Sequence, residues 1–261
     1  MASGSGHGLS GPLGAMCGES LSVPFQRVNQ STGTFFVPDY AAHRPAAKAI
    51  LNGRLYEPAT HALVAAILQA RPGNMIHAGA FFGDMLPSFS RACTGTVYAF
   101  EPVLENYLLA KLCIEANGLD NVMLLNAGLG PGSGTARIDT GGKGGPHLGG
   151  ASTISEQGQV TALLAADEVA KGEISVLQLD VEGYEREALQ GATRILREHH
   201  PIVMIEDETG RGAQFLQQVG YRLAGQIPGL SIWQDPRDDL DVPALMQRPD
   251  VQSPLPKKRA A

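Results

Sequence analysis

The sequence predicts an α/β fold, a mostly parallel sheet of seven strands with helices on both faces. Short apolar runs that each end in glycine, an acid or an amide alternate with longer segments of helical periodicity. In addition, the last two apolar runs lie too close together for a crossover helix. At 261 residues the chain is long enough for one large domain with a substantial core, and too short for two full enzymatic domains.

The helices are predicted where apolar residues recur every three or four positions. They cover residues 57–70, 84–92, 104–117, 161–169, 184–196 and 213–219. Arg71-Pro72-Gly73 ends the first of them, and Asn117-Gly118 ends the third. The parallel strands between these helices lead into Gly79, Glu101, Asn126, Asp180 and Glu206.

The last two predicted strands, residues 221–224 and 230–234, are joined by only a few residues that include Pro228-Gly229. A connection this short requires the two strands to pair antiparallel. A parallel sheet that ends in an antiparallel hairpin is typical of class I methyltransferases, and dinucleotide dehydrogenases lack it. The ending therefore favours the first of these two classes.

The chain divides into four segments by composition. We expect a flexible N-terminal tail (1–22), an N-terminal extension (23–56), the main domain (57–240) and a C-terminal tail (241–261). The extension contains several aromatic residues, so we expect it to pack on the core or on a partner subunit of a homo-oligomer. Residues 131–159 are rich in glycine, with one predicted strand at 135–138, and we expect them to form a mobile lid over the acceptor.

Composition excludes several classes of protein. The net charge of −6 argues against a nucleic-acid surface, which is normally basic. No apolar run is as long as a transmembrane helix, so we expect no membrane partner. The three cysteines lie far apart, without metal-ligand spacing, and the N-terminus lacks the pattern of a secretory signal. A reducing, cytoplasmic location is the expectation.

Glycine and acidic residues follow the first two predicted strands. Gly79 and Gly83 bracket a strand-to-helix turn, where a backbone without β-carbons can approach a ligand closely. Glu101 lies roughly 20 residues further on, where an acid takes ribose hydroxyls in nucleotide-binding folds. A turn without a ligand and a solvated strand end are the alternatives. Together these residues favour a nucleotide-like cofactor site, which we predict to contain His77, Gly79, Gly83, Asp84, Glu101, Asn126, Ala127 and Asp180.

A second group of acids follows the fourth and fifth predicted strands. Asp180 and Glu182 flank one residue at the end of the fourth, and Glu206 ends the fifth. At a strand terminus such carboxylates can turn towards one cleft, where Asp180 can orient an acceptor or the three can ligate Mg²⁺. Capping of the following helix is the alternative role for Glu182. His147, in the glycine-rich segment, is the candidate for a mobile general base.

Taken together, these residues resemble the FkbM family of S-adenosylmethionine-dependent methyltransferases over residues 56–206. The motifs that carry the resemblance are Gly83-Asp84, Ala99-Phe100-Glu101-Pro102, Asn126-Ala127, Asp180-Val181-Glu182-Gly183-Tyr184-Glu185 and the strand end at Glu206. The resemblance implies a Rossmann-like class I methyltransferase domain at 57–240, S-adenosylmethionine as cofactor, and O-methylation of a hydroxyl on a sugar or another small molecule.

The chain departs from the family pattern at two positions. His77 and Phe81 stand where the family has an Asp and an Asn. Without that acid, the candidates for holding the amino group of the methionine moiety are Asp84 and Asp180.

Two rival interpretations remain at the level of sequence. A nicotinamide-dependent oxidoreductase would use the same glycines and Glu101, but it would need a parallel sixth strand and a catalytic Tyr or Lys after the fourth or fifth strand. A cofactor-binding module with a decayed acceptor site is the other alternative, and His77 in place of an acid favours it. A comparison of NAD binding with S-adenosylmethionine binding distinguishes the oxidoreductase from a methyltransferase. Turnover with an acceptor library tests whether the protein is only a cofactor-binding module.

Overall fold

A computed structural model describes residues 23–141 and 147–252. The expected N-terminal tail and part of the expected C-terminal tail lie outside these residues. The chain starts with a hairpin of β1 (Phe25–Gln30) and β2 (Gly33–Pro38), followed by helices α1 (Pro45–Leu51) and α2 (Pro58–Ala70).

The central sheet is mostly parallel, as predicted. Its strands are β3 (Asn74–Ala78), β4 (Val97–Phe100), β5 (Val122–Leu125), β10 (Ile174–Leu179), β11 (Ile202–Ile205), β12 (Arg222–Ile227) and β13 (Leu230–Gln234). They lie in the order β12-β13-β11-β10-β3-β4-β5, with β3, β4, β5, β10 and β11 parallel. β13 pairs antiparallel with both β11 and β12. The order reverses beside β3, and ligands bind at such a point in open α/β sheets.

Helices cover both faces of this sheet. After α2 they are α3 (Leu86–Ala92), α4 (Leu104–Asn117), α5 (Ala166–Val169), α6 (Glu185–Gln190), α7 (Thr193–Glu198), α8 (Arg211–Gln218), α9 (Val242–Met246) and α10 (Pro249–Gln252). Successive residues of a strand point to opposite faces. On β10, accordingly, Leu177 packs in the core on the side of α6 and α7, and Val176 packs with α2 and α3 on the other side.

The glycine-rich segment contains a second sheet. Its strands are β6 (Gly128–Leu129), β7 (Gly134–Asp139), β8 (Thr153–Ser155) and β9 (Gln159–Leu164), in the order β6-β9-β7-β8. The predicted strand at 135–138 is confirmed as part of β7. The expectation of a single strand in this segment is wrong, its mobility stays a prediction, and residues 142–146 lie outside the described residues. The prediction of a helix at 161–169 is also wrong up to residue 164. There Thr161 and Leu163 are buried between exposed neighbours, a period of two rather than of three to four.

The predicted helix at 184–196 is two helices. α6 ends at Gln190, and α7 begins at Thr193 after a break at Gly191-Ala192. The carboxylate of Asp167 accepts hydrogen bonds from the backbone nitrogens of Arg194 (2.8 Å) and Ile195 (2.9 Å). Because Asp167 comes from α5, this contact caps a new helix start from outside the segment.

The N-terminal extension packs on the core through α4. Phe35 of β2 is fully buried in a cluster with Phe82, Leu109 and Cys113. Asn117, at the end of α4, accepts a hydrogen bond from the backbone nitrogen of Thr34 (2.8 Å) and donates one to its carbonyl (2.7 Å). The hairpin is therefore held to the helix that follows β4.

The segment that we delimited as a C-terminal tail begins with α9 and α10, which pack against α2. At the same end of the sheet, Arg71 forms an ion pair with Asp238 and donates hydrogen bonds to the carbonyls of His199 (3.0 Å) and His200 (2.9 Å). Arg71 thus ties together three parts of the chain. None of the helices in the described residues is both long enough and apolar enough to cross a membrane.

Candidate active site

The turn after β3 brings three strand ends together. Gly79 has φ +93°, and a β-carbon at this position would collide with the backbone carbonyl oxygen of Asp180. The backbone nitrogens of Gly79 (3.1 Å) and Ala80 (3.0 Å) both donate to the carbonyl of Phe100. Only glycine combines this conformation with this close approach, so the turn locks the ends of β3, β4 and β10 into one cradle.

Glu101 lies at the inner wall of this cradle and is 4% exposed. Its carboxylate accepts hydrogen bonds from the backbone nitrogens of Phe81 (2.7 Å) and Val103 (2.9 Å), and from the side-chain amide of Asn106 (3.2 Å). Burial raises the pKa of Glu101 to about 7 in spite of these donors. The carboxyl group is thus fixed in place and close to its titration point at neutral pH.

Phe81 accounts for part of this geometry. Its φ is +47°, a left-handed conformation that Asn tolerates better than Phe. The strained backbone points the Phe81 nitrogen at Glu101, while its buried ring packs edge-on against Phe82, with 4.7 Å between centroids. Packing of the ring therefore maintains a turn that the residue type does not favour.

Two cavities meet at the cradle and share Gly79, Glu101, Asp180 and Glu182. The first, with a volume of about 50 Å³, continues along the start of α4 and under the second sheet, where it is lined by Pro102, Val103, Asn106, Leu129 and Ile154. The second, with a volume of about 240 Å³, is lined by Arg44, Tyr56, His77, Asp84, Gln178 and Glu206. Together they form one cleft at the carboxyl ends of the strands.

Carboxyl groups dominate the second cavity. Burial raises the pKa of Asp180 well above its usual range, and the charges of Glu206, Glu182 and Glu57 raise it further. The Asp180 carboxyl group hydrogen-bonds with that of Glu206, whose pKa is raised by burial. Since burial and like charges both disfavour two ionised carboxylates this close, the pair favours holding a proton between them.

His77 is neutral in this site. Its ring is 2% exposed, and burial lowers its pKa to about 4. Nδ1 forms a hydrogen bond with Oε1 of Gln178, its partner in the β3–β10 register. Burial raises the pKa of Asp84, on the same cavity, to about 7. His77 therefore supplies a neutral polar group rather than a cation or a carboxylate.

The structure gathers some of the predicted site residues and leaves others out. His77, Gly79, Asp84, Glu101, Asp180, Glu182 and Glu206 line the cleft. Gly83, Asn126, Ala127 and His147 are not among the residues that line either cavity. The exposed Asn126 donates its side-chain amide to the carbonyl of Glu101 (2.9 Å), so it holds the chain after β4.

His147 is not placed to act as the general base. Its ring packs on that of Tyr40, with 4.2 Å between centroids, and its Nδ1 accepts a hydrogen bond from the backbone nitrogen of Gly149 (2.9 Å). Burial lowers its pKa. The prediction of a mobile base rested on the residue type of His147 and on the expectation of a lid in the segment where the structure has the second sheet.

The expected magnesium site is also corrected. The described part of the chain has no group of three or more His, Cys, Asp and Glu side chains arranged to hold a metal ion. Asp180 and Glu206 instead hydrogen-bond with each other, and Glu182 stands on a turn with φ +52°. A carboxyl pair that shares a proton offers one negative charge where a divalent ion favours more.

Four residues of the cleft were missed at the level of sequence. Arg44 and Tyr56 come from the N-terminal extension, and no local motif marks them. Asn106 lies on α4, inside a segment read as an ordinary amphipathic helix. A signal did exist for Gln178, because it is a polar residue inside an otherwise apolar strand and is 1% exposed.

The sheet order, the glycine cradle and the acid at the end of β4 define a Rossmann-like class I methyltransferase fold. The Methyltransferase FkbM domain matches residues 77–223, more than half of the chain. The chain therefore belongs to the FkbM methyltransferase family.

Several solved structures are similar in fold. The methyltransferase FkbM from Methylobacillus flagellatus KT is 16% identical with a TM-score of 0.47, and the match covers 62% of this chain and 43% of that one. A methyltransferase from Geobacter sulfurreducens is 16% identical with a TM-score of 0.42 over 67% of this chain and 76% of that one. A protein from Streptococcus mutans in complex with SAH is 13% identical with a TM-score of 0.44, and the match covers 67% of this chain and 94% of that one. No curated protein sequence matches significantly.

Proposed function

We propose that this protein transfers a methyl group from S-adenosylmethionine to a hydroxyl group of a small molecule, with a sugar as the favoured acceptor. The observation that carries the proposal is the cradle, in which the close approach of Gly79 to the Asp180 backbone brings Glu101 and Asp180 to the walls of one cleft. We assign the donor and the acceptor to the two cavities that meet in this cleft. The FkbM family membership supports methyl transfer.

We assign the nucleoside of the donor to the first cavity. Its walls are mostly apolar, with Pro102, Val103 and Leu129, as the face of a purine ring requires. Glu101 lies at its inner end, where the two carboxylate oxygens can accept hydrogen bonds from ribose hydroxyls. His77, Asp84 and Gln178 lie beyond the cradle, where their polar groups can hold the amino-acid end.

The acceptor takes the remaining part of the second cavity, which is lined by Arg44, Tyr56 and Glu206. When bound, S-adenosylmethionine supplies a methyl carbon on a positively charged sulfur. The acceptor oxygen forms a bond to this carbon while the carbon–sulfur bond breaks, and the sulfur keeps the electron pair. The Asp180–Glu206 carboxyl pair takes the proton that the hydroxyl loses. Positioning of the two reactants in the cleft supplies much of the rate.

Calorimetric titration tests the donor half of this proposal. We expect binding of S-adenosylmethionine and S-adenosylhomocysteine, no binding of NAD, and at least about tenfold weaker binding by the Glu101→Gln variant, since a charged hydrogen-bond acceptor is lost. Glu115→Gln, at an exposed position of α4, is the matched control. Binding of NAD alone would instead identify an oxidoreductase.

Turnover with an acceptor library tests the other half. The library should contain sugars, other polyols, amines and an RNA fragment, with S-adenosylhomocysteine formation as the readout. We expect product with a hydroxyl compound. Product only with amines or RNA would overturn the acceptor class, and donor binding without any turnover would favour a cofactor-binding module.

A further inference from the structure

A chain of hydrogen bonds leads from the N-terminal extension to Glu101. The hydroxyl of Tyr40 donates to Oδ1 of Asn106 at 2.6 Å, and Nδ2 of Asn106 donates to Oε1 of Glu101 at 3.2 Å. Asn106 is 1% exposed, so no bulk water competes for its amide. Tyr40 comes from the short 3₁₀ helix Asp39–Ala41 after β2, and Asn106 from the first turns of α4.

The Asn106 amide is held between an acceptor and a donor. A side-chain amide has an acceptor oxygen at one end and a donor nitrogen at the other. The Glu101 carboxylate only accepts, so the NH₂ group of Asn106 is turned towards it and the amide oxygen faces Tyr40, whose O–H donates to that oxygen. Tyr40 thereby anchors the amide in the orientation in which it donates to Glu101, and loss of the hydroxyl removes that anchor.

We propose that Tyr40 is a positioning residue for the cofactor: through Asn106 it holds Glu101 charged and oriented for the ribose of the donor. This inference rests on the proposed function, because it assigns Glu101 to the ribose. It gives the N-terminal extension a direct part in donor binding. Tyr40 itself does not line either cavity, so it acts through Asn106.

The charges around Glu101 explain why one more donor matters. Burial raises its pKa to about 7, and the nearby Glu105 carboxylate raises it further, whereas Val103, Asn106 and Phe81 lower it. Asp180, on the opposite wall, and the neutral His147 ring against Tyr40 add no positive charge. Asn106 is the one side-chain donor to Glu101 among the described residues.

The first test compares Tyr40→Phe with Tyr107→Phe in calorimetric titrations with S-adenosylhomocysteine at pH 7.5. Phenylalanine keeps the ring that packs on His147 and removes only the hydroxyl. We expect about five- to tenfold weaker binding for Tyr40→Phe, as for the loss of a hydrogen bond to a charged group. Tyr107 lies on the same helix as Asn106, and its hydroxyl makes no hydrogen bond within the described residues, so its variant should bind as wild type does.

The second test asks whether Tyr40 acts through Glu101. In the Glu101→Gln background, Tyr40→Phe should change the affinity by less than about twofold, because there is no carboxylate left to hold. A residue that merely anchors the extension would cause the same loss in both backgrounds. In addition, the pH below which Tyr40→Phe loses affinity should lie above that of wild type, because Glu101 loses a donor that favours its charged form.

The outcomes separate this inference from the function on which it rests. Wild-type protein that binds no S-adenosylhomocysteine overturns the proposed function and the inference with it. Wild-type binding together with unchanged affinity in Tyr40→Phe, or an equal loss in both backgrounds, overturns the inference alone. If Tyr40→Phe does not fold, Asn106→Ser replaces it in the same cycle, with the same expected dependence on Glu101.

Discussion

Asp180 stands where a backbone constraint and an electrostatic constraint coincide. Its carbonyl oxygen faces Gly79, so the chain cannot shift there, and its side chain is packed among other acids. Burial and like charges both disfavour the ionised form. A carboxyl group in this state is a stronger base than a solvated one when it does ionise, which suits it to take a proton from a hydroxyl.

We expect Asp180→Asn to lower turnover by about 100-fold or more, in the range measured for general bases, and to change the affinity for S-adenosylhomocysteine by less than about twofold. The variant keeps the shape of the side chain and removes the group that takes the proton. Steady-state kinetics and calorimetry measure the two effects. Near-normal turnover of this variant would show that the reaction centre does not lie at the end of β10.

The same substitution should raise stability, and the sign follows from the raised pKa. A carboxyl whose pKa is higher in the folded state binds more protons there than in the unfolded chain, so its contribution to stability falls as pH rises from about 4 through the raised pKa. The stabilising effect of Asp180→Asn should therefore be small near pH 4 and largest above the raised pKa. Thermal melts against pH measure it, with the exposed Glu208→Gln as control.

How well single residues could be predicted depended on whether their role was local. Glu101 could be placed because a strand end and its distance from the glycine turn are written in the sequence. The position of His147 could not be predicted, because whether a histidine in a glycine-rich segment reaches a cleft depends on the path of the chain around it. Arg44 and Tyr56 reach the cleft through tertiary packing alone.

The element that matters most is the turn after β3, because three strands depend on it. We expect Gly79→Ala to destabilise the protein by at least about 2 kcal/mol, since strain at positive φ adds to a backbone collision. Gly118→Ala is the matched control, for Gly118 has φ +59° and nothing within 4 Å of an added β-carbon. Denaturant unfolding should show about 1 kcal/mol for the control. Equal losses would mean that the collision is relieved by a shift of the turn.

The second sheet should be formed before any ligand binds. The strands β7 and β9 pair over five residues in antiparallel register, from Gly134↔Leu163 to Ile138↔Gln159. Their amides should therefore exchange slowly in the free protein, although less slowly than those of the fully buried β10. Cofactor should add protection at residues 149–154, which line the first cavity. If the amides of β7 exchanged as fast as those of an unfolded chain, this segment would be a mobile lid instead of a formed sheet.

At the level of elements, helices and strands with a long or clearly ended apolar pattern could be predicted from the sequence, whereas short elements could not. The strands of the central sheet could be predicted because each apolar run ends at a marked residue. β9 was mistaken for a helix because Thr161 and Leu163 are too few to separate a period of two from one of 3.6. The break between α6 and α7 depends on Asp167, which the helical pattern does not contain.

On the scale of the whole molecule, the cleft and the contacts of Arg71 lie at opposite ends of the sheet. The cleft lies at the carboxyl ends of the strands, and Arg71 joins Asp238 to the chain around His199 and His200 at the other end. We expect Asp238→Asn to destabilise the protein by about 3 kcal/mol, since it leaves a mostly buried guanidinium without its charge partner. The affinity for S-adenosylhomocysteine should stay within about twofold. Asp239→Asn, exposed beside it, is the control in thermal melts.

The two cavities that meet at the glycine cradle are lined largely by different segments of the chain. The proposed donor wall is built from β4, α4 and the second sheet, while Arg44 and Tyr56 of the proposed acceptor wall come from a segment that precedes the parallel sheet. On this proposal, we expect substitutions of Arg44 and Tyr56 to alter which compound is modified and to leave the donor wall in place. A library randomised at Arg44 and Tyr56 is for this reason the most direct route to new acceptors on this scaffold, with Tyr40 kept constant.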